Sequence, residues 1–285
     1  MRNEREKMAK LTGFVRLIRP LNCIMMGFAV IVGASLVSAL NLTTNLLLGF
    51  VTSFSFTAAS MAINDYYDRQ IDAINEPNRP IPSGAVSPNQ AIVFSVILIA
   101  VGFTAAFSTN LPSFLVAAVA LVVSVAYITK GKKTGLFGNF LVSASVVIPF
   151  IYGGLAVGNL ELSTLLFVAI VFLSNTAREI TKGIVDVEGD HSHNIKTVAV
   201  AYGARSAAIA AAIFSLLAVC LSPLPWLLGI VSDWFLPAVI VTDVGLVVSS
   251  MLLLRDYSRE NAKKTKNRNL LWFITGLLAF IMGTF

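Results

Sequence analysis

Charged residues are scarce in this chain. Asp, Glu, Lys and Arg make up 13% of its 285 residues, whereas 56% are hydrophobic. About a quarter of the residues in a soluble domain are charged, and the mean hydropathy here is +0.80. This composition excludes a soluble globular protein. A helix that crosses a bilayer needs about 20 mostly apolar residues, and repeated runs of this kind predict a polytopic, all-α membrane protein.

The apolar runs predict nine transmembrane helices. We place them at Leu17–Leu40, Leu46–Ile63, Gln90–Phe107, Leu111–Ile128, Asn139–Val157, Leu162–Ala177, Arg205–Leu221, Trp234–Leu254 and Leu270–Phe285.

Cysteine is also scarce, since the chain has two, Cys23 and Cys220. They are predicted at opposite membrane depths, and a disulfide requires close Cα atoms, so no disulfide is expected. The basic arm Met1–Lys10 precedes a span that is too long for a signal peptide and lacks a small-residue cleavage site. We therefore expect no removable signal peptide.

Positive charge is missing from every second connection. The loops that begin near Asn41, Ser108, Gly158 and Ser222 contain no Lys or Arg, and all 21 lie on the opposite side of the predicted membrane. Since Lys and Arg stay on the cytoplasmic side during insertion, the N-terminus is predicted in the cytoplasm and the C-terminus outside. Topology and anionic lipid head groups explain the net charge of +6, so no nucleic-acid binding is predicted.

Two acidic clusters lie at the ends of apolar runs. In the first, Asn64, Asp68 and Asp72 are spaced i, i+4, i+8. They form one stripe if the second span continues as a helix beyond the membrane surface. Asp65 then points away from that stripe by roughly a quarter turn.

The second cluster ends at Asp186 and Asp190. Glu179, Lys182, Asp186 and Asp190 are spaced i, i+3, i+7, i+11 and are predicted to share one helix face. Four spans separate the two clusters, and an even number returns the chain to the same side of the membrane. The two stripes are therefore predicted to face each other on the cytoplasmic side.

Stripes of carboxylates favour a cation site, because acids four residues apart on a helix repel each other. Mg²⁺ binds through one or two carboxylates, with water and substrate phosphate completing its shell. A diphosphate is the natural substrate, and its oxygens can be neutralised by Arg69, Arg79, Lys130 and Lys182. Arg79 lies in the segment 78–84, a predicted lid in which two prolines restrict the backbone. Acids at a membrane surface can also simply cap helices, but two clusters on one side favour a functional site.

The same residues resemble the signatures of the UbiA superfamily of intramembrane prenyltransferases. The NDxxDxxxD signature is matched by Asn64 to Asp72, and the DxxxD signature by Asp186 to Asp190. Further matches cover most of the chain: Arg19-Pro20, Tyr127 with Lys130, Gly138-Asn139, and Lys196-Thr197 with Tyr202-Gly203.

This resemblance implies a nine-span bundle around a central cavity, formed by residues 1–285 as a single domain with residues 1–10 as a cytoplasmic arm. It implies two Mg²⁺ ions that join the motifs to an isoprenyl diphosphate, with these metal ligands: Asn64, Asp68, Asp72, Asp186 and Asp190. We expect catalytic roles for Asp68, Asp72, Asp186, Asp190 and Lys182. We expect substrate phosphate contacts from Asn64, Arg69, Arg79, Tyr127, Lys130, Arg178, Arg19 and Asn22.

Within the superfamily, residues 69–84 resemble both the archaeal digeranylgeranylglyceryl phosphate synthases and the chlorophyll synthases. Residues 178–183 resemble the archaeal lipid enzymes more, although Gly183 stands where many relatives have another acid. The implied reaction moves a geranylgeranyl group from its diphosphate to the sn-2 hydroxyl of geranylgeranylglyceryl phosphate, forming an ether lipid. The acceptor's phosphate is expected to meet cations from this set: Arg19, Lys130, Lys132, Lys133 and Arg178.

Several alternatives stay open at this point. The acceptor can instead be an aromatic compound or a tetrapyrrole, and a transporter or a non-catalytic prenyl-lipid binding protein can share the architecture. Asp243, near the middle of the eighth span, is either functional or an interhelical contact. Asn22 either lines the cavity or bonds a neighbouring helix. His191 and His193 are interpreted as loop residues beside the second cluster.

Overall fold

The computed structural model describes residues 2–38, 43–192 and 195–284, with the side chains of residues 2–9 and Asn75 left aside. Over these ranges the chain forms helices and no strand. The helices are α1 Arg2–Ile18, α2 Pro20–Ser35, α3 Thr44–Asn75, α4 Pro88–Thr109, α5 Leu111–Thr129, α6 Leu136–Val157, α7 Leu162–Val185, α8 Val187–Ser192, α9 Val198–Leu221, α10 Leu224–Leu227, α11 Phe235–Arg255 and α12 Arg259–Gly283, with a 3₁₀ turn at Gly131–Lys133.

Local sequence signals explain where several helices begin. Ser87 and Gln90 form a capping box at the start of α4, in which Ser87 Oγ accepts from the Gln90 amide at 3.2 Å and Gln90 Oε1 accepts from the Ser87 amide at 3.0 Å. Asn110 caps α5 in the same way, since its side-chain oxygen accepts from the Ser113 amide at 2.8 Å. These side chains satisfy amide groups that have no partner inside the helix.

The predicted count of nine spans is not reached among the described residues. Seven helices, α3 to α7, α9 and α11, are long and apolar enough to cross a membrane, and the pair α1–α2 makes an eighth if its 44° bend is counted as one span. The first span bends because Arg19 adopts a left-handed backbone conformation directly before Pro20. The predicted ends of the first and ninth spans, Leu40 and Phe285, lie outside the described residues.

The ninth predicted span corresponds to the second half of α12. The first half of α12 carries basic side chains at Arg259, Lys263, Lys264, Lys266 and Arg268. This charge leaves an apolar stretch too short for α12 to join the seven long apolar helices.

The helices pack as two neighbouring rings. In the first ring α2 contacts α3, α3 contacts α4, α4 contacts α5, α5 contacts α6, and α6 contacts α2 again. In the second, α7, α9, α11 and α12 form a closed circuit, and the contact of α6 with α7 joins the rings. The first ring surrounds the cavity described below.

Two glycines bring α2 and α6 unusually close. A methyl group at Gly33 would overlap the backbone of Phe150, and one at Gly153 would overlap the carbonyl of Val30. Small residues allow the backbones of membrane helices to approach in this way. Since α2 and α6 both line the cavity, this contact sets the separation of two of its walls.

Candidate active site

The first acidic cluster lies on one continuous helix, as predicted. Helix α3 runs without a break from Thr44 to Asn75, so Asn64, Asp68 and Asp72 occupy successive turns. Asn64 Nδ2 donates a hydrogen bond to Asp68 Oδ2 at 2.9 Å. This bond orients both side chains, and both line the central cavity.

Asp65 points away from the stripe, also as predicted, and is buried with two arginines. Its side chain is 2% exposed, and its Oδ1 accepts from Arg19 Nη2 at 2.7 Å and lies 3.6 Å from Arg79 Nη1. Arg79 Nη1 also donates to Asp72 Oδ2 at 2.6 Å. Asp65 therefore ties the α1–α2 bend and the loop after α3 to the same turn of α3.

The loop after α5 places Lys132 at the first cluster. Lys132 Nζ donates to Asp68 Oδ2 at 2.7 Å. Lys130, which the sequence favoured as a phosphate ligand, is exposed and is not among the residues that line the cavity. Helix α5 ends at Thr129, and the 3₁₀ turn that follows turns Lys132 toward α3.

The second cluster begins on α7. Arg178 Nη1 donates to Glu179 Oε1 at 2.9 Å, and Lys182 Nζ lies 3.6 Å from Glu179 Oε2. All three side chains line the cavity. Tyr127 interacts electrostatically with Asp68 from the first cluster and with Asp190 and Lys182 from the second, so it lies between the two.

The predicted second stripe does not lie on one helix. Helix α7 ends at Val185, Asp186 is its C-cap, and the short helix α8 begins at Val187. The Asp186 amide still donates to the Lys182 carbonyl at 3.1 Å, and the Asp190 amide to the Asp186 carbonyl at 2.9 Å. Asp186 and Asp190 therefore follow α7 closely in space but are not among the residues that line the cavity.

The cavity has a volume of about 690 Å³ and two chemically different ends. Charged and polar side chains gather at its mouth: Arg19, Asn22, Asn64, Asp68, Tyr127, Lys132, Arg178, Glu179 and Lys182. The far end is bounded by Thr52, Phe56 and Tyr152, with apolar side chains of α2, α3, α5 and α6 between. Four cations and two carboxylates line the mouth, and the buried Asp65 pairs with one of the cations, Arg19. A small excess of positive charge remains, which suits an anionic head group.

Several predicted site residues lie elsewhere. Arg69 Nη1 donates to the Tyr66 carbonyl at 2.7 Å, and its guanidinium lies 4.4 Å from the centre of the Tyr66 ring. Asp72 and Arg79 pair with each other. His191 is exposed on α8, and His193 lies outside the described residues. Asn22, for which two roles were open, lines the cavity.

The donor set fits a hard cation at the first cluster only in part. In the parts of the chain that the structure describes, no three His, Cys, Asp or Glu side chains form a metal-binding group. Asn64 and Asp68 nevertheless bring an amide and a carboxylate together, and Lys132 Nζ lies 2.7 Å from the Asp68 carboxylate. Oxygen donors of this kind suit Mg²⁺. The remaining predicted ligands stay a prediction.

Asp243 takes part in an interhelical contact. Ser222 Oγ, at the end of α9, donates to Asp243 Oδ2 on α11 at 2.6 Å. Asp243 does not line the cavity. The hydrogen bond satisfies the carboxyl group within the membrane, which favours the structural of the two interpretations.

Sequence reasoning missed the far end of the cavity. Tyr152 has no acidic or basic neighbour in sequence and stands in an apolar run of α6, so no motif marks it. Its contacts come from residues about 100 and 43 positions away, at Thr52 and Thr109. The available signal in the sequence was Tyr152 itself, a tyrosine with a polar hydroxyl group inside a predicted transmembrane span.

The apolar helices define this chain as a membrane protein. Its cavity, with a cationic mouth and an apolar depth, suits an amphipathic, anionic ligand. The profile of the UbiA prenyltransferase family matches residues 23–280. The chain belongs to this family and is a membrane prenyltransferase.

Individual relatives extend the comparison. The digeranylgeranylglyceryl phosphate synthase of Natronomonas pharaonis is 35% identical over 276 residues, which cover 96% of this chain and 100% of that protein. A solved structure of digeranylgeranylglyceryl phosphate synthase superposes with a TM-score of 0.85 at 32% identity, covering 96% of this chain and 98% of the other. A UbiA homologue from Archaeoglobus fulgidus, bound to GPP and Mg²⁺, shares the fold with a TM-score of 0.69 at 18% identity, covering 94% and 99%.

Proposed function

We propose that this protein transfers a geranylgeranyl group from geranylgeranyl diphosphate to the sn-2 hydroxyl of geranylgeranylglyceryl phosphate. The product is an ether lipid of the archaeal type. Relatives of this name, 35% identical over almost the whole chain, support the choice of acceptor.

One observation carries the proposal. The cavity joins a mouth with excess positive charge to an apolar depth. A prenyl diphosphate has the same division, with a polyanionic head and a hydrocarbon tail. The head is expected to lie beside Lys132, Lys182 and Asp68, and the tail among the apolar walls.

We propose two Mg²⁺ ions as cofactors. The ligands would be Asn64, Asp68 and Asp72 from the first motif, and Asp186 and Asp190 from the second. When bound, Mg²⁺ neutralises negative charge on the diphosphate oxygens. The related fold that holds GPP and Mg²⁺ supports this chemistry.

The chain's own residues promote departure of the diphosphate. The bond between C1 of the prenyl group and the diphosphate oxygen breaks, and its electron pair leaves with the diphosphate. Lys132 and Lys182 line the mouth where this charge develops, and fixed cations in a water-poor site stabilise it strongly. The apolar walls also exclude water, which would otherwise capture the allylic cation.

The acceptor completes the reaction. Its sn-2 hydroxyl oxygen forms the new bond to C1, and its proton passes to the released diphosphate or to solvent. No strong base is needed, because the allylic cation is a reactive electrophile. We assign Arg19 and Arg178 to the acceptor's phosphate, since both line the mouth and arginine binds phosphate in a bidentate manner.

We further propose that residues 1–285 act as one domain in the cell membrane. The distribution of Lys and Arg supports a cytoplasmic N-terminus, a cavity mouth on the cytoplasmic side and a C-terminus outside. The phosphate of the lipid acceptor and the diphosphate of the donor would then both reach the mouth from the cytoplasmic side of the membrane.

Radiolabelled transfer with purified protein tests the proposal. Geranylgeranyl diphosphate and geranylgeranylglyceryl phosphate are incubated with and without Mg²⁺, alongside Asp68→Ala, Asp186→Ala and the control Glu260→Ala. Glu260 is 79% exposed and pairs with Lys264 on the surface of α12. We expect Mg²⁺-dependent ether product that is lost in the first two variants and kept in the control.

Other outcomes have distinct meanings. Prenylation of an aromatic acceptor without ether product would contradict the proposed acceptor. Absence of transfer to every acceptor, with flux of a solute into liposomes, would support the transporter alternative instead.

A further inference from the structure

A hydrogen-bonded group of three side chains lies at the far end of the cavity, where Tyr152 and Thr52 line it. The Tyr152 hydroxyl of α6 lies 3.3 Å from Thr52 Oγ1 of α3 and 3.0 Å from Thr109 Oγ1 of α4. Tyr152 is 3% exposed and Thr52 is 2% exposed. Three helices therefore hold one aromatic ring across the end of the cavity.

Neighbouring glycines fix the rings that form this end wall. A methyl group at Gly49 would lie 2.8 Å from the Tyr152 ring, and one at Gly102 would overlap the Phe56 ring. Phe56 also packs edge-on against Phe103, with ring centres 5.0 Å apart. The Tyr152 and Phe56 rings pack directly against the helix backbone at these glycines. They therefore have little room to move away from the cavity.

The depth of the cavity corresponds to a particular prenyl length. Asn64 at the mouth and Thr52 at the end wall lie on the same helix, α3, twelve residues apart. A rise of about 1.5 Å per residue separates them by about 18 Å. Two acyl chains, end to end, span the roughly 30 Å core of a bilayer. A geranylgeranyl chain is as long as a common acyl chain, so an extended geranylgeranyl chain measures about 15–20 Å.

We propose that Tyr152, held by Thr52 and Thr109, ends the donor subsite and limits the donor to four isoprene units. This inference rests on the proposed function, because it concerns the donor of the same reaction. A donor with a fifth unit would have to displace the Tyr152 ring from its two hydrogen bonds. A shorter donor would fit but leave the end of the cavity unfilled.

Two readouts with a donor series test the proposal. Prenyl diphosphates of ten, fifteen, twenty and twenty-five carbons are compared by kcat/KM with the same acceptor. They are also compared by displacement of radiolabelled geranylgeranyl diphosphate from the purified protein, which needs no acceptor. For the unaltered protein, we expect the twenty-five-carbon donor to be disfavoured on the order of tenfold or more, as for an overfilled core.

Three variants locate the effect. Tyr152→Ala should abolish the discrimination against the longest donor, whereas Tyr152→Phe keeps the ring but loses both hydrogen bonds and should keep only part of the discrimination. Thr57→Phe, at a lining position nearer the mouth, should move the optimum to shorter donors and serves if Tyr152→Ala does not fold. Met61→Ala widens the cavity near the mouth and should leave the order of donor preference as it was.

The outcomes separate this inference from the proposed function. Equal use and equal binding of the two longest donors by the unaltered protein would overturn it, since the tail would then leave the cavity sideways. The same shift in Met61→Ala as in Tyr152→Ala would also overturn it. Length discrimination in binding, without transfer to geranylgeranylglyceryl phosphate, would uphold the inference and contradict the acceptor.

Discussion

Lys132 Nζ and Asp68 Oδ2 lie 2.7 Å apart, although 64 residues separate them in sequence. The pair joins the 3₁₀ turn after α5 to the centre of the acidic stripe on α3. An ammonium group therefore contacts the carboxylate that the first motif places at the mouth of the cavity. Of the lysines in this turn, Lys132 is the one that lines the cavity.

Replacing Lys132 tests its role at the mouth. We expect Lys132→Met to lower kcat/KM on the order of 100-fold, because it removes a fixed cation from the site where diphosphate charge develops. Lys130→Met should cause a much smaller loss, since Lys130 is exposed outside the cavity. Prenyl transfer by each purified variant provides the measurement.

A control accounts for the change of net charge. Lys263→Met removes one exposed lysine from α12, away from the cavity, and should leave kcat/KM near that of the unaltered protein. An equal loss in Lys130→Met and Lys132→Met would contradict the structural assignment and favour the one made from sequence.

The regular part of the site was predictable from the sequence, and the irregular part was not. The stripe on α3 follows from helical spacing, because α3 continues unbroken past Asp72. The choice between Lys130 and Lys132 depends on where α5 stops and how the next turn folds. Helical spacing carries no information about either. The helix of the second stripe is interrupted for the same reason, since α7 ends at Val185.

Long-range contacts were equally beyond sequence reasoning. The pairing of Tyr152 with Thr52 and Thr109 depends on how three apolar helices pack, and each looks like any other span. The bend at Arg19 was marked by Pro20, which restricts the residue before it, but the apolar run continues across this point. The sequence therefore predicted one straight first span across Pro20, because the apolar run is continuous there.

Asp65 is predicted to act by holding two arginines in position. Asp65→Ala leaves Arg19 and Arg79 without the carboxylate that lies 2.7 and 3.6 Å from them. Removing one member of a buried ion pair costs several kcal/mol. The arginines are 36% and 31% exposed, so solvent reduces the expected cost to about 2 kcal/mol. Thermal unfolding in detergent measures this loss, and kcat/KM should fall with it.

Two comparisons make the result specific. Asp65→Asn can still accept a hydrogen bond from Arg19 and should lie between Asp65→Ala and the unaltered protein. Glu260→Ala breaks an exposed ion pair at 2.6 Å and should change the unfolding temperature little, as expected for surface pairs. Similar effects of Asp65→Ala and Glu260→Ala would refute the positioning role.

The close contact of α2 and α6 predicts strong sensitivity at Gly153. In Gly153→Ala the new methyl group meets the Val30 backbone, so the helices must separate, at a cost of about 1–3 kcal/mol. The unfolding temperature should fall. The affinity for the prenyl donor should also fall, because α2 and α6 line the cavity. Thermal unfolding and donor binding report the two effects.

Gly276 offers a matched control on α12. A methyl group there would lie 3.4 Å from Thr242 Cγ2, an ordinary contact, and alanine favours a helix more than glycine does. Gly276→Ala should therefore be neutral or stabilising. A loss of stability in Gly276→Ala as large as in Gly153→Ala would show that helical glycines matter here for another reason.

Asp243 is predicted to stabilise the bundle without taking part in prenyl transfer. Asn at this position can still accept the 2.6 Å hydrogen bond from Ser222 Oγ. Asp243→Asn should therefore keep both kcat/KM and the unfolding temperature. Asp243→Leu removes the acceptor and should cost about 1 kcal/mol, the usual size of an interhelical hydrogen bond in a membrane.

A double-mutant cycle with Ser222→Ala tests the contact directly. If the two side chains interact, the losses in Ser222→Ala and Asp243→Leu overlap, and the double variant is less destabilised than their sum. Additive losses would show that the hydrogen bond contributes nothing. A large fall in kcat/KM for Asp243→Asn at unchanged stability would instead make this carboxyl group functional.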